Sequence, residues 1–267
     1  QRRRRRLRRR RQQLRRRPPL PSEHAPFRVQ QLGPQLRAHL QETDQCHTVI
    51  AYPTPFGQTD PQHRAAELAC DMLGGYMSSR LWSAIREKNG WAYSVAMYFE
   101  GFAETGVMFV HMGLKTKGKD GREDPAITRE ALLVALRELE HFEPTAAELA
   151  TAQGHRRGQL AMSAEKSAWL AQFYAQQLLH GEDAHSVDQE LAAYGQVTLE
   201  QVRALARAVL RPERCTLCFI GRTGHTREQL RQVAAAKGLA STFVDLPWDE
   251  KHSDTKKESV GQPIPHQ

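Results

Sequence analysis

Residues 46–52, CHTVIAY, form a β-rich run that Pro53 and Pro55 stop, and Asp60-Pro61 then supplies an N-cap and first-turn proline for a helix. Ala65, Leu68, Ala69 and Met72 recur at helical spacing as its buried stripe. Gly74-Gly75 ends it. Ser78 or Ser79 is placed to cap a second helix that buries Leu81 and Ile85 and stops near Asn89-Gly90. Two strands follow. AYSVAMYF (92–99) alternates so that Tyr93, Val95, Met97 and Phe99 share a face, whereas GVMFVHMGL (106–114) is apolar on both faces and reads as central.

Asp124-Pro125 opens a further helix with Leu132, Ala135, Leu136 and Leu139 as its stripe, and three capping-box spacings precede helical runs: Thr145 with Glu148, Ser186 with Gln189, Thr198 with Gln201. RCTLCFIG (214–221) closes as a strand, with a weaker helix expected over 227–236. Paired strands followed by a block of helices predict an α+β fold, a largely antiparallel sheet with helices packed on one face. Residues 1–24, rich in Arg, Gln and Pro, read as a disordered linker or arm, 25–249 as the folded domain, and 250–267 as a polar, disordered tail.

Composition narrows this picture. The 267 residues are 40% hydrophobic, enough for a sizeable core. The net charge of +8 suggests nucleic acid, but Arg2–Arg6, Arg8–Arg11 and Arg15–Arg17 contribute twelve charges, and without them +8 becomes −4. The folded body is mildly acidic. A nucleic-acid partner would therefore act only through the arginine run, which lacks interleaved aromatics and is equally well read as a linker. No apolar stretch is long enough to span a membrane, and Cys46, Cys70, Cys215 and Cys218 are too scattered for a disulfide scaffold, which favours a reducing, cytoplasmic setting. The chain begins with Gln, which fits a piece of a longer polypeptide.

Candidate metal chemistry is thin. Cys215-x-x-Cys218 lies in a strand, where residues three apart point to opposite faces, so two buried small residues is the better reading. Glu138-x-x-His141 and Glu182-x-x-His185 match half of a carboxylate-bridged metal pair but lack the two further helical glutamates. No His-Glu-x-x-His or His-x-x-Glu-His pattern occurs among the twelve histidines, so no zinc ligand set is expected in this chain. Arg86 and Tyr93, seven residues apart across the Gly90 turn, taken alone fit a cation at a helix C-terminus and a strand aromatic.

The segment GGYMSSRLWSAIREKNGWAYSV (74–95), followed by GFAETGVMFVHMGL (101–114), resembles the second, non-zinc half of pitrilysin/insulysin-type zinc metallopeptidases, in the branch that includes mitochondrial processing peptidase. ELATAQGHRRGQLAMSAEKSAWLAQFYAQQLLHG (148–181) is similar to that family's long helix pair, and VTLEQVRALARAVLRPERCTLCFIG (197–221) to its closing helix and strand, so the resemblance runs from about Thr43 to Gly221. It implies a half-domain of the processing-peptidase type that encloses a peptide chamber together with a His-x-x-Glu-His half. Zinc would belong to that partner half, upstream in the same polypeptide or a separate subunit, and none to this chain. By position, Arg86 would place the peptide substrate and Tyr93 would stabilise the oxyanion. The resemblance also admits a proteolytically inactive scaffold of the same family.

Overall fold

The computed structural model describes residues 33–39, 43–181 and 184–221, with Gln232, Ala235 and the backbone of Phe243–Val244. The arginine-rich residues 1–24, the tail 250–267, nearly all of the helix expected over 227–236, and Glu182 lie outside the described residues.

Strands β1 (Gln35–His39), β2 (Gln45–Thr54), β3 (Ala92–Gly101), β4 (Gly106–Lys115), β5 (Thr216–Ile220) and β6 (Phe243–Val244) form one sheet in the order β3-β4-β2-β5-β1-β6. From β3 to β5 every pairing is antiparallel, while β1 runs parallel to both β5 and β6. The sheet is thus mixed at one side. β1 was not expected, because Gln-Leu-Arg-Ala-His carries little β-propensity and its main partner lies far along the chain.

Alternation decides which face is covered. Leu36, Ile50, Tyr52, Met97, Val110, Met112, Leu217 and Phe219 point to the helices and are almost wholly buried, while the intervening positions form an open face. The helices are α1 (Gln62–Cys70), α2 (Pro125–Glu140), α3 (Ala146–Ala164), α4 (Ser167–Leu179), α5 (Val187–Gln196) and α6 (Leu199–Val209). All three expected capping boxes close α3, α5 and α6, and Asp124 accepts from the Ala126 N–H at the start of α2. The expected stripes of α1 and α2 are buried residue for residue.

Two π-helical segments depart from the expected plain helices. Asp71–Gly75 prolongs α1, and Trp82–Glu87 forms most of the second helix. Gly74 shows why a small residue ends the first. A Cβ there would lie 2.6 Å from the Met97 backbone nitrogen, so this turn sits directly on β3. Leu81 and Ile85 are fully buried as expected, each contributing about 2 kcal/mol of burial. The expected serine cap does not form: the Ser79 hydroxyl is buried with no hydrogen-bond partner among the described residues.

Long arginines tie the helices together. Arg64 of α1 reaches Glu190 of α5 at 2.7 Å, and Arg156 of α3 reaches Asp71 at 2.9 Å. Burial pushes the Asp71 carboxyl up to about 6, against the pull of Arg156. Such buried pairs fix the mutual placement of helices more than they add net stability.

Candidate functional site

The site begins where the second π-helical segment stops. Gly90 adopts a φ of +63°, its N–H donates to the Arg86 carbonyl at 3.0 Å, and the Trp91 N–H donates to the Ile85 carbonyl at 3.1 Å. Only glycine adopts that φ without strain, so the chain turns here into β3. The Lys115 N–H then donates to the Trp91 carbonyl at 2.8 Å, which locks the turn to the end of β4.

Directly after the turn the ladder is irregular. Ala92 pairs with Leu114 and Ser94 with Gly113, so Tyr93 is an extra residue opposite no partner, a β-bulge. This corrects the simple alternation expected for β3. Val95 and Met97 face the core, but the bulge removes Tyr93 from their face and leaves it 52% exposed. Its ring lies beside Lys115, whose Nζ is 5.5 Å from the ring centroid, on the open face of the sheet.

Arg86 completes the arrangement. Its Nη1 donates to the backbone carbonyl of Tyr93, the residue that the bulge leaves without an opposite partner. Its guanidinium also stacks on Trp82, 4.4 Å from the ring centroid and one helical turn earlier. Arg86 is exposed yet held at two points, and it makes no ion pair among the described residues. The structure therefore brings the two candidate residues into direct contact, through a main-chain carbonyl rather than side chain to side chain.

A strut behind the site carries the segment. Arg80 donates through Nε and Nη2 to Glu148, at 2.6 and 2.9 Å, donates to the Glu143 carbonyl at 2.7 Å, and lies over the Phe142 ring. Its forked hydrogen bond and the Thr145 donors hold the Glu148 carboxyl well down, at about 2. Trp82, Lys115 and Arg80 were not singled out from sequence. An aromatic four residues before Arg86 was a readable signal on a helix, whereas Lys115 and Glu148 become neighbours only once the sheet and loop are placed.

The remaining candidates stay apart. Cys215 is buried with its thiol pushed up to about 12 by burial, Cys218 is half-buried on the other face, and neither is in a disulfide. His141 is exposed at the end of α2, and His185 bonds to Glu190 at 2.6 Å. Among the described residues no group of three or more His, Cys, Asp and Glu side chains could hold a metal ion, and no helix is long and apolar enough to cross a membrane. These residues do not fit a zinc ion.

Comparison with known proteins bears on the fold and the family. The family model described as "Peptidase M16 inactive domain" matches residues 9–154. An uncharacterized zinc protease of Streptomyces coelicolor is 33% identical over 183 residues, which is 67% of this chain and 38% of the relative. An uncharacterized zinc protease of Mycobacterium tuberculosis is 30% identical over 207 residues, 77% of this chain and 45% of the relative. The chain thus spans less than half the length of these curated relatives. Among solved structures, a peptidase M16 inactive domain from Pseudomonas fluorescens superimposes with TM-score 0.59 at 22% identity, covering 76% of this chain and 47% of that one. A protease from Helicobacter pylori gives TM-score 0.60 at 17% identity over 72% of this chain and 45% of that one, a likeness of fold.

Proposed function

Because the chain belongs to the peptidase M16 family, matching its inactive domain, we propose that it is the non-zinc half of a zinc-dependent peptidase, offering Arg86 and Tyr93 to a composite site. The zinc ligands would sit in a His-x-x-Glu-His half, fused upstream or separate. The observation that supports the reading best is the bulge, which turns Tyr93 out to the open face while Arg86 holds its carbonyl.

The roles follow from donor chemistry. As a peptide carbonyl is attacked its oxygen gains negative charge, and a phenol O–H held at that point stabilises the transition state more than the ground state. The guanidinium of Arg86 has donors left over from its bond to Tyr93 and can fork onto a peptide carbonyl or carboxylate. Stacking on Trp82 restricts it beforehand, which lowers the ordering cost of binding.

The test combines this chain with a His-x-x-Glu-His half and compares wild type with Tyr93→Phe. Loss of one such donor should lower kcat about a hundredfold or more with little change in KM. Turnover unchanged within a few-fold would remove Tyr93 from the chemistry. A stable complex with no turnover by the wild type would favour the scaffold alternative.

A further inference from the structure

We infer that the open face of the sheet binds an extended acidic peptide, with carboxylates at the Tyr93 end and an aromatic side chain against Tyr98 and Phe109. The inference rests on the peptide-binding reading above and gives it a substrate class.

The strand registers fix what this face displays. One row across it runs Arg37, Cys218, Val49, His111, Ala96, and the next toward the Gly90 turn runs His39, Ile220, His47, Gly113, Ser94. Lys115 and Tyr93 lie beyond that, at the turn itself. In the opposite direction come Phe109 and Tyr98, then Pro53, Val107 and Glu100. The face is polarised along its strands. Lys115 and Arg86 lie at the bulge end, the imidazoles of His47 and His111 come next, Arg37 stands across the sheet on β1, and an aromatic and apolar patch lies in the opposite direction.

The cations of this face differ from the arginines that tie the helices together. Arg64, Arg80 and Arg156, which link helices and loops, each end on a carboxylate. Arg37 bonds only to Gln35, at 3.0 Å, Lys115 meets the Tyr93 ring, and Arg86 meets a carbonyl and Trp82, so none of the three ends on a carboxylate among the described residues. The folded body without the arginine run is acidic, so composition does not account for this local excess of positive charge. The outward strand positions carry one carboxylate, Glu100, at the far end of β3. Unpaired cations over a low-dielectric sheet attract an anionic partner and steer its approach.

Two side-chain pairs supply the finer reading. His47 and His111 share a hydrogen bond, Nδ1 to Nε2 at 3.2 Å, and burial with the His47 neighbour pulls the His111 imidazole below its usual value. His111 is thus held toward its neutral form, in which it offers hydrogen bonds while Arg37, Lys115 and Arg86 carry the charge. Tyr98, 52% exposed, and Phe109 lie 5.5 Å apart between ring centroids, an arrangement able to take a third aromatic ring. Phe109 is two residues from His111 and six from Lys115, about 7 and 20 Å along an extended strand. Carboxylates two to six positions from an aromatic residue would match both ends.

The experiment measures binding to the full chain by fluorescence anisotropy, with no zinc half present. Three short labelled peptides are compared: Asp and Glu around one Phe, Lys and Arg around the same Phe, and the acidic peptide with Gly in place of Phe. The first should bind about tenfold tighter than the second and several-fold tighter than the third, and should weaken with added salt. Lys115→Glu should weaken it about tenfold and Arg37→Glu, three strands away on β1, several-fold through its longer-range field, with Lys115→Gln as a milder substitution checked for folding by circular dichroism. Lys166→Glu, at the start of α4, should leave it unchanged. Acidic-peptide binding insensitive to Arg37 and Lys115 would belong to the arginine run, and preference for the basic peptide would equally overturn the inference. Because binding is read without turnover, failure of the composite-site reading and failure of this one give different results.

Discussion

Replacing Glu148 by Gln keeps the side chain's shape and removes its charge, which isolates the strut behind the site. The carboxylate accepts from Arg80 Nε and Nη2 at 2.6 and 2.9 Å and from the Thr145 N–H and hydroxyl, both at 2.8 Å. These contacts lower its pKa from 4.5 to about 2. A group whose folded pKa is depressed contributes stability above its unfolded pKa and loses it as pH falls through the folded value. The full shift would correspond to roughly 3 kcal/mol, but both side chains remain about a quarter exposed, and screening reduces this to about 1.5 kcal/mol. Urea unfolding at pH 7 should show Glu148→Gln less stable by that amount, with Tm lower by about 3–6 °C. By about pH 3 more than half of the gap should close, since the wild-type carboxylate then protonates on unfolding. A variant as stable as wild type at pH 7, or a gap that does not narrow with acid, would refute the strut.

Two further outcomes probe the frame of the site and its thiols. Gly74→Ala should destabilise by about 2 kcal/mol, read by the same urea titration, because the new methyl meets the β3 backbone at Met97 rather than a side chain that can move. Cys215 should resist iodoacetamide at pH 8 in the folded protein, its thiol being held up at about 12, and become reactive in urea, as mass spectrometry of peptides containing 215 would show.

Local signals carried most of the fold. The capping boxes, the apolar stripes of α1 and α2, and the β3–β4 hairpin all depend on neighbours within one or two turns, and each formed where its pattern placed it. What failed depended on distant partners. β1 has meaning only beside β5, and Arg80 finds its acceptor 68 residues away. Tyr93 is the instructive case at the site: its identity and its proximity to Arg86 were legible, but a one-residue bulge reversed the face that period-two alternation assigned to it. The open-face cations escaped notice because Arg37 and Lys115 are 78 positions apart in sequence and come onto one face only through the strand order.

The parallel pairing of β1 with β5 also sets when the sheet can close during synthesis. Gln35–His39 must wait for Thr216–Ile220 to emerge, about 180 residues later, roughly ten to forty seconds at ordinary translation rates. Until then the side of β2 that later receives β5 presents unpaired backbone groups, a template for pairing with another chain. Yield of soluble protein should therefore depend on chaperone capacity and on growth temperature more than the finished fold's own stability would suggest.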